Sequence, residues 1–193
     1  MHVDLVAINT IQEKPTLLVQ IDQQQQLYKV FDIQQMANQQ ARICFSGTIV
    51  IGPWGGEGGR FRQFVPGTTR SIKEIQIGND EVVDYLKFES QDGRAEAWGS
   101  GVVRDAVPIN LPSEYLTSIS GTTTKNNDKK KVAVESLTFY TNVNNVGYGP
   151  FGRDPTTGDA FSIPMGNAEV VGFSGRAVEQ INAIGIYVIP RPN

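Results

Sequence analysis

Between Ile72 and Ile77 the chain changes face at every step. Ile72, Glu74 and Gln76 fall on one side of an extended backbone, and Lys73, Ile75 and Ile77 on the other. Val132 to Tyr140 and Ile184 to Val188 are similar short stretches. Turn formers punctuate them at Gly78-Asn79-Asp80, Gln91-Asp92-Gly93, Lys125 to Asp128 and Asn144 to Gly147. Strand-like runs this short, bounded this often, predict an all-β sandwich, barrel or prism beginning after Gly47. The 20 glycines and 10 prolines among 193 residues agree, because they favour many turns over long helices.

Residues 1–47 are patterned differently, rich in glutamine (Gln23 to Gln26) and poor in glycine. Val3 to Ile11 and Thr16 to Ile21 are expected strands separated by Pro15, and Leu27 to Phe31 a third. Asp32-Ile33-Gln34-Gln35 has the form of a helix start with a capping box. Ile33, Met36, Ala37, Ala41 and Cys44 then share one helical face, which Gly47 ends. The expected organisation is a small N-terminal strand/helix extension of unknown role, residues 1–47, and an all-β domain, residues 48–190. A segment as short as the first rarely folds alone, so it is expected to dock on the main domain or on a partner.

A degenerate repeat runs through the second part. Glu81-Val82-Val83-Asp84-Tyr85-Leu86, Glu114-Tyr115-Leu116-Thr117-Ser118-Ile119 and Glu179-Gln180-Ile181-Asn182-Ala183-Ile184 share one pattern of glutamate, aliphatic, small polar and aliphatic positions. Each follows an aromatic–glycine cluster: Trp54-Gly55-Gly56, Trp98-Gly99 and Gly149-Pro150-Phe151-Gly152. Three such units predict pseudo-threefold symmetry.

Composition narrows the function. Hydrophobic residues at 39% supply a core, and 19% charge is too little for a disordered chain. With a formal net charge of −3, the run Lys129-Lys130-Lys131 is expected to be a solvated loop tip, and no nucleic-acid partner is expected. The single Cys44 excludes an intramolecular disulfide and fits a reducing compartment. Met1-His2-Val3-Asp4-Leu5 lacks the basic start and apolar core of a signal peptide, and no apolar run approaches the roughly 20 residues that span a membrane. No N-glycosylation sequon occurs. The expectation is a cytoplasmic or nucleocytoplasmic protein with no membrane insertion.

Catalytic motifs are scarce. His2 is the only histidine, which removes Ser-His-Asp and Cys-His catalysis and most zinc sites. Gly55-Gly56-Glu57-Gly58-Gly59 has no following Gly-Lys-Ser/Thr and no helix to open, so it is neither a P-loop nor a dinucleotide fingerprint. A carboxylate pair for glycoside hydrolysis stays open, since its geometry is spatial. Glycine-rich turns suit another chemistry, because their backbone approaches a ligand closely and presents N–H donors. Beside an acidic or amide side chain, such donors match sugar hydroxyls.

Four segments carry a specific resemblance. They are Ile51 to Gly59; Ser113 to Gly121; Ser136 to Asn142 leading to Tyr148-Gly149-Pro150-Phe151-Gly152; and Gly172 to Arg176 followed by Ala183 to Tyr187. In this order they resemble the jacalin-related lectin domain, in the style of its plant, mannose-binding members. The resemblance implies a β-prism of three four-stranded Greek-key sheets, no catalysis, no metal and no cofactor. It implies mannose/glucose-type glycans as partners, a homodimer or higher homo-oligomer, and a role in plant stress or defence.

The resemblance also implies a sugar site between the first glycine loop and the last loop. It places Gly59 there with Glu179 and Gln180, acting through backbone amides, and Asn182. Two positions depart from the family pattern of Gly, three variable residues and Asp: Val178 replaces the glycine and Asn182 the aspartate. A carboxamide offers one neutral acceptor where a carboxylate offers two charged ones. Glu81, Val82 and Asp84 form a second such loop, which keeps the aspartate but has Asp80 for glycine. The third equivalent is expected at Glu114 to Thr117. An alternative remains: a prism that has lost sugar binding and acts as a protein-interaction scaffold.

Overall fold

The structure is a computed structural model that describes residues 48–66, 71–153, 156, 158–163 and 167–191. The strands and helix expected within residues 1–47, Cys44 included, lie outside the described residues. Twelve strands follow: β1 (Ile49–Gly55), β2 (Arg60–Phe64), β3 (Ile72–Asn79), β4 (Val83–Ser90), β5 (Ala95–Gly99), β6 (Asp105–Pro108), β7 (Leu116–Thr123), β8 (Val134–Thr141), β9 (Tyr148–Gly152), β10 (Asp159–Ser162), β11 (Ala168–Ala177) and β12 (Ile181–Pro190). There is no helix among the described residues.

The strands form three four-stranded antiparallel sheets, ordered β1-β12-β11-β2, β5-β4-β3-β6 and β9-β8-β7-β10. Each sheet has a central hairpin flanked by two strands from elsewhere in the chain. The hairpins β11–β12, β3–β4 and β7–β8 therefore occupy equivalent places, and so do β1, β5 and β9. This is the pseudo-threefold β-prism that the sequence predicts.

The alternation of side chains fixes the inward faces. Ile75 and Ile77 of β3, Leu86 and Phe88 of β4, Leu137 and Phe139 of β8, and Ile184 and Ile186 of β12 are fully buried. Phe88 stands at the centre, its ring 4.3 Å from Phe173, 4.8 Å from Trp98 and 5.5 Å from Phe64. Phe139 meets the same Phe173 edge-on at 6.3 Å.

The equivalence extends to single residues, and it corrects the repeat. Each central hairpin carries a bulge at the start of its second strand. The register jumps from Arg176↔Ala183 to Ala177↔Ile181, from Gly78↔Tyr85 to Asn79↔Val83, and from Thr122↔Ser136 to Thr123↔Val134. The residues left over are Asn182, Asp84 and Glu135. The third counterpart of Asn182 is thus Glu135, not Thr117. Glu114-Tyr115 leads into β7, the first strand of its hairpin, whereas Glu81 and Glu179 precede the second strand of theirs. A short pattern of glutamate and aliphatic residues suits either strand entry, so the sequence match misled.

The aromatic–glycine clusters are true equivalents. A Cβ on Gly55, Gly99 or Gly152 would collide with the carbonyl oxygen of Asn182, Asp84 or Glu135 respectively. The residue after each glycine donates its amide to that same oxygen: Gly56 N at 2.8 Å, Ser100 N at 3.1 Å and Arg153 N at 3.0 Å. These glycines let an outer strand lie against each bulge.

Candidate functional site

At one end of the prism the bulges meet the glycine loops. Gly59 has φ 72°, and a Cβ built on it would lie 2.7 Å from Asn182 Oδ1. Only a glycine gives this backbone conformation without strain and leaves the carboxamide its room. The loop is clamped from below by Arg176, whose Nε and Nη2 donate to the carbonyls of Gly58 and Gly59 at 3.0 and 2.9 Å. From the side it is held by the β7–β8 loop, where Lys129 O accepts from Glu57 N at 2.9 Å. The Lys129 to Lys131 run, expected as a solvated loop tip, has exposed side chains on a backbone that packs against the first glycine loop.

Asn182 is buried, and its Nδ2 donates to Val132 O at 3.1 Å. That bond orients the carboxamide and leaves Oδ1 toward Gly59. It also explains why an amide suits this chain: a carboxylate has no donor to offer Val132. Asn182→Asp is accordingly expected to lower stability by about 1–3 kcal/mol by setting a carboxylate against a carbonyl. Urea denaturation at pH 7 measures this; a variant as stable as the parent would mean that the contact to Val132 is dispensable.

The second bulge repeats this arrangement. A Cβ on Gly101 would collide with the Asp84 carboxylate, and one on Gly78 would lie 2.7 Å from Asp84 Oδ1. Gly101 therefore leaves room for the Asp84 side chain as Gly59 does for Asn182, though without the positive φ of Gly59. Trp98 stands three residues before Gly101, while Trp54 stands five before Gly59, and that shortening obscured the match.

Short turns complete both places. Val178 N reaches Gln180 O at 3.4 Å, and Asp80 N reaches Val82 O at 3.2 Å. No backbone hydrogen bond between described residues uses the N–H groups of Glu179, Gln180, Glu81 or Val82. The third counterpart is a long loop from Thr124 N to Ala133 O, closed at 2.9 Å. Each short turn thus offers open backbone donors beside an acceptor set under a glycine. The structure brings Gly59 and Asn182 together, sets Glu179 and Gln180 in the adjacent turn, and builds Glu81, Val82 and Asp84 into an equivalent one.

The two places touch. Glu179 O accepts from both Ser100 N and Ser100 Oγ, each at 3.1 Å, while Ser100 N also lies 3.1 Å from Asp84 O. Sequence gave no signal for this link, which joins positions 79 residues apart.

Three bulged hairpins around an axis, with acceptors set beneath glycine loops, define a lectin-type β-prism. Residues 51–187 match the Jacalin-like lectin domain, and the chain belongs to that family. It is a lectin-type domain. A mannose/glucose-specific lectin from Parkia pendula is 40% identical over 151 residues, covering 75% of this chain and 32% of that protein. The chain thus spans about a third of that relative's length. Among solved structures, a mannose-binding jacalin-related lectin from Ananas comosus is 34% identical with a TM-score of 0.63, covering 76% of this chain and 100% of its own. Calystegia sepium agglutinin is 32% identical with a TM-score of 0.64, covering 76% of this chain and 99% of its own.

Proposed function

We propose that this chain binds mannose- or glucose-type glycans without catalysis, at the end of the prism where the bulges meet the glycine loops. The observation that carries this reading is the pair of matched places. Asn182 under Gly59 and Asp84 under Gly101 each put a side-chain oxygen beside a turn with two N–H groups that no backbone carbonyl among the described residues uses. Adjacent hydroxyls of a pyranose both donate and accept, so they meet such a set of one acceptor and two donors. The names of the Parkia and Ananas relatives, mannose/glucose-specific and mannose-binding, support the choice of sugar.

The two places differ in strength. Asp84 offers a charged acceptor, whereas Asn182 has one neutral oxygen and has given an N–H to Val132. Calorimetric titration of methyl α-mannoside, with methyl α-galactoside as control, is expected to show millimolar, mannose-selective binding at two sites per chain. Asp84→Ala is expected to remove the tighter site and Asn182→Ala the weaker, with about a tenfold difference in affinity between them. A folded protein that binds neither sugar at millimolar concentration would instead support the protein-interaction scaffold.

A further inference from the structure

We infer that the third repeat carries a different place, for an acidic saccharide: a pyranose bearing a carboxylate or a sulfate, held in the cavity between the β7–β8 loop and Asp159. The choice of a saccharide rests on the lectin function proposed above; the place and the charge go beyond it. The frame of the third place is complete. Gly158 immediately precedes β10 as Gly59 precedes β2, and a Cβ on Gly158 would collide with the Glu135 carboxylate. Its chemistry differs from that of the other two. Arg153 Nη1 stands 4.0 Å from Glu135 Oε1, so this buried carboxylate already faces a cation. The short turn of the other hairpins is replaced here by the long β7–β8 loop. What the third place recognises is therefore set by that loop.

The loop is fixed from within. Thr124 N donates to Ala133 O at 2.9 Å, and Ala133 N donates back to Thr124 Oγ1 at 3.0 Å. Asn126 Oδ1 accepts from Asp128 N at 2.9 Å, and Asp128 Oδ1 accepts from Lys130 N at 3.0 Å. A loop held this way loses little freedom when a ligand binds. With Asp159 it bounds an open cavity of about 610 Å³, lined by Lys125, Asn126, Asn127, Lys129 and Asp159. That volume falls within the roughly 300–1,000 Å³ of small-molecule sites. Two lysines against one aspartate leave the lining net positive in a chain of net charge −3. Asp128 faces Lys131 at 4.0 Å, whereas no ion pair among the described residues engages Lys125 or Lys129. The two lysines attract an anionic group. Asp159 repels a bare anion but accepts from hydroxyls, and the Asn126 and Asn127 carboxamides donate as well as accept. A sugar ring with an acidic substituent satisfies both demands; an inorganic anion satisfies one.

The test is calorimetric titration of the full chain in saturating methyl α-mannoside, which fills the other two places. Glucuronic acid and glucose 6-sulfate are the probes, and glucose and inorganic sulfate the controls. At least one acidic sugar is expected to bind once per chain, and the tighter of the two tells carboxylate from sulfate. Both controls are expected to bind about tenfold more weakly or not at all. Raising sodium chloride from about 50 to about 500 mM should weaken the acidic sugar several-fold. Lys125→Glu should weaken it about tenfold and leave methyl α-mannoside binding unchanged. Three results overturn the third place: neither acidic sugar binds, a control binds as tightly, or binding survives Lys125→Glu. The lectin reading is judged separately, by methyl α-mannoside alone. If that sugar fails to bind while the acidic sugar binds, the mannose reading falls and the third place stands.

Discussion

Phe88→Ala is expected to cost about 3–5 kcal/mol of stability, the largest effect of any single side chain proposed here. The ring is fully buried and packs on three other aromatic rings, Phe64, Trp98 and Phe173, from two different sheets. Each pair adds about 0.5–1.5 kcal/mol beyond burial, and the β-ladders that frame the site leave little freedom for collapse into the space. For a domain of this size the melting temperature should fall by about 6–20 °C. Phe151→Ala is the control, since that ring is only partly buried and, among the described residues, stacks with one aromatic ring, Phe139, at 6.2 Å. Thermal melts followed by near-ultraviolet circular dichroism compare the two. Equal losses would mean that the prism axis is no more critical than its rim.

Glu114→Ala is the second large effect, expected at about 3 kcal/mol. Glu114 is buried, yet every oxygen is used. Oε2 accepts from Asn110 N at 3.0 Å and Asn110 Nδ2 at 3.1 Å, while Oε1 accepts from Thr141 Oγ1 at 2.7 Å and the Tyr148 hydroxyl at 2.9 Å. The carboxylate ties the turn before β7 to the end of β8 and the start of β9. Alanine orphans these donors, at about 1–3 kcal/mol for each that water cannot reach.

The same geometry predicts a pH dependence. Burial pushes the Glu114 carboxyl up, but the hydrogen bonds from Asn110, Thr141 and Tyr148 outweigh it, and the carboxyl sits below its ordinary value. Tyr148, which donates to it, is raised, with that bond as the leading cause. Because the folded carboxyl is the stronger acid, its contribution is fully present above the unfolded value of about 4.3 and is lost as pH falls through the folded value. Urea denaturation at pH 7 and pH 3 should show a smaller acid loss in Glu114→Gln than in the parent. Identical slopes would remove Glu114 as a source of acid sensitivity.

Glu114 also shows how far the sequence carried. It entered the repeat as a partner of Glu81 and Glu179, because the three share one local pattern. In the fold it lies at the opposite end of its hairpin, holding a turn. Strand alternation at Ile72 to Ile77 and Ile184 to Val188, the turn signals and the aromatic–glycine clusters were each visible in one dimension. They depend on local propensity and on a period of two residues. Together they predicted an all-β sandwich, barrel or prism with threefold repetition, and the family resemblance chose the prism and pointed to Gly59, Asn182 and Asp84.

Tertiary structure alone decided the rest. A bulge is a statement about two strands at once, so Glu135 could not be matched to Asn182 and Asp84 until the ladders were paired. Gly101 became the counterpart of Gly59 only when the Asp84 carboxylate was seen beneath it. The Asn182 amide is committed to Val132, which lies 50 residues away, and Ser100 joins the two loops across 79 residues. Contacts of that separation leave no trace in spacing or periodicity, because the residues that make them meet only after the sheets have closed around the core.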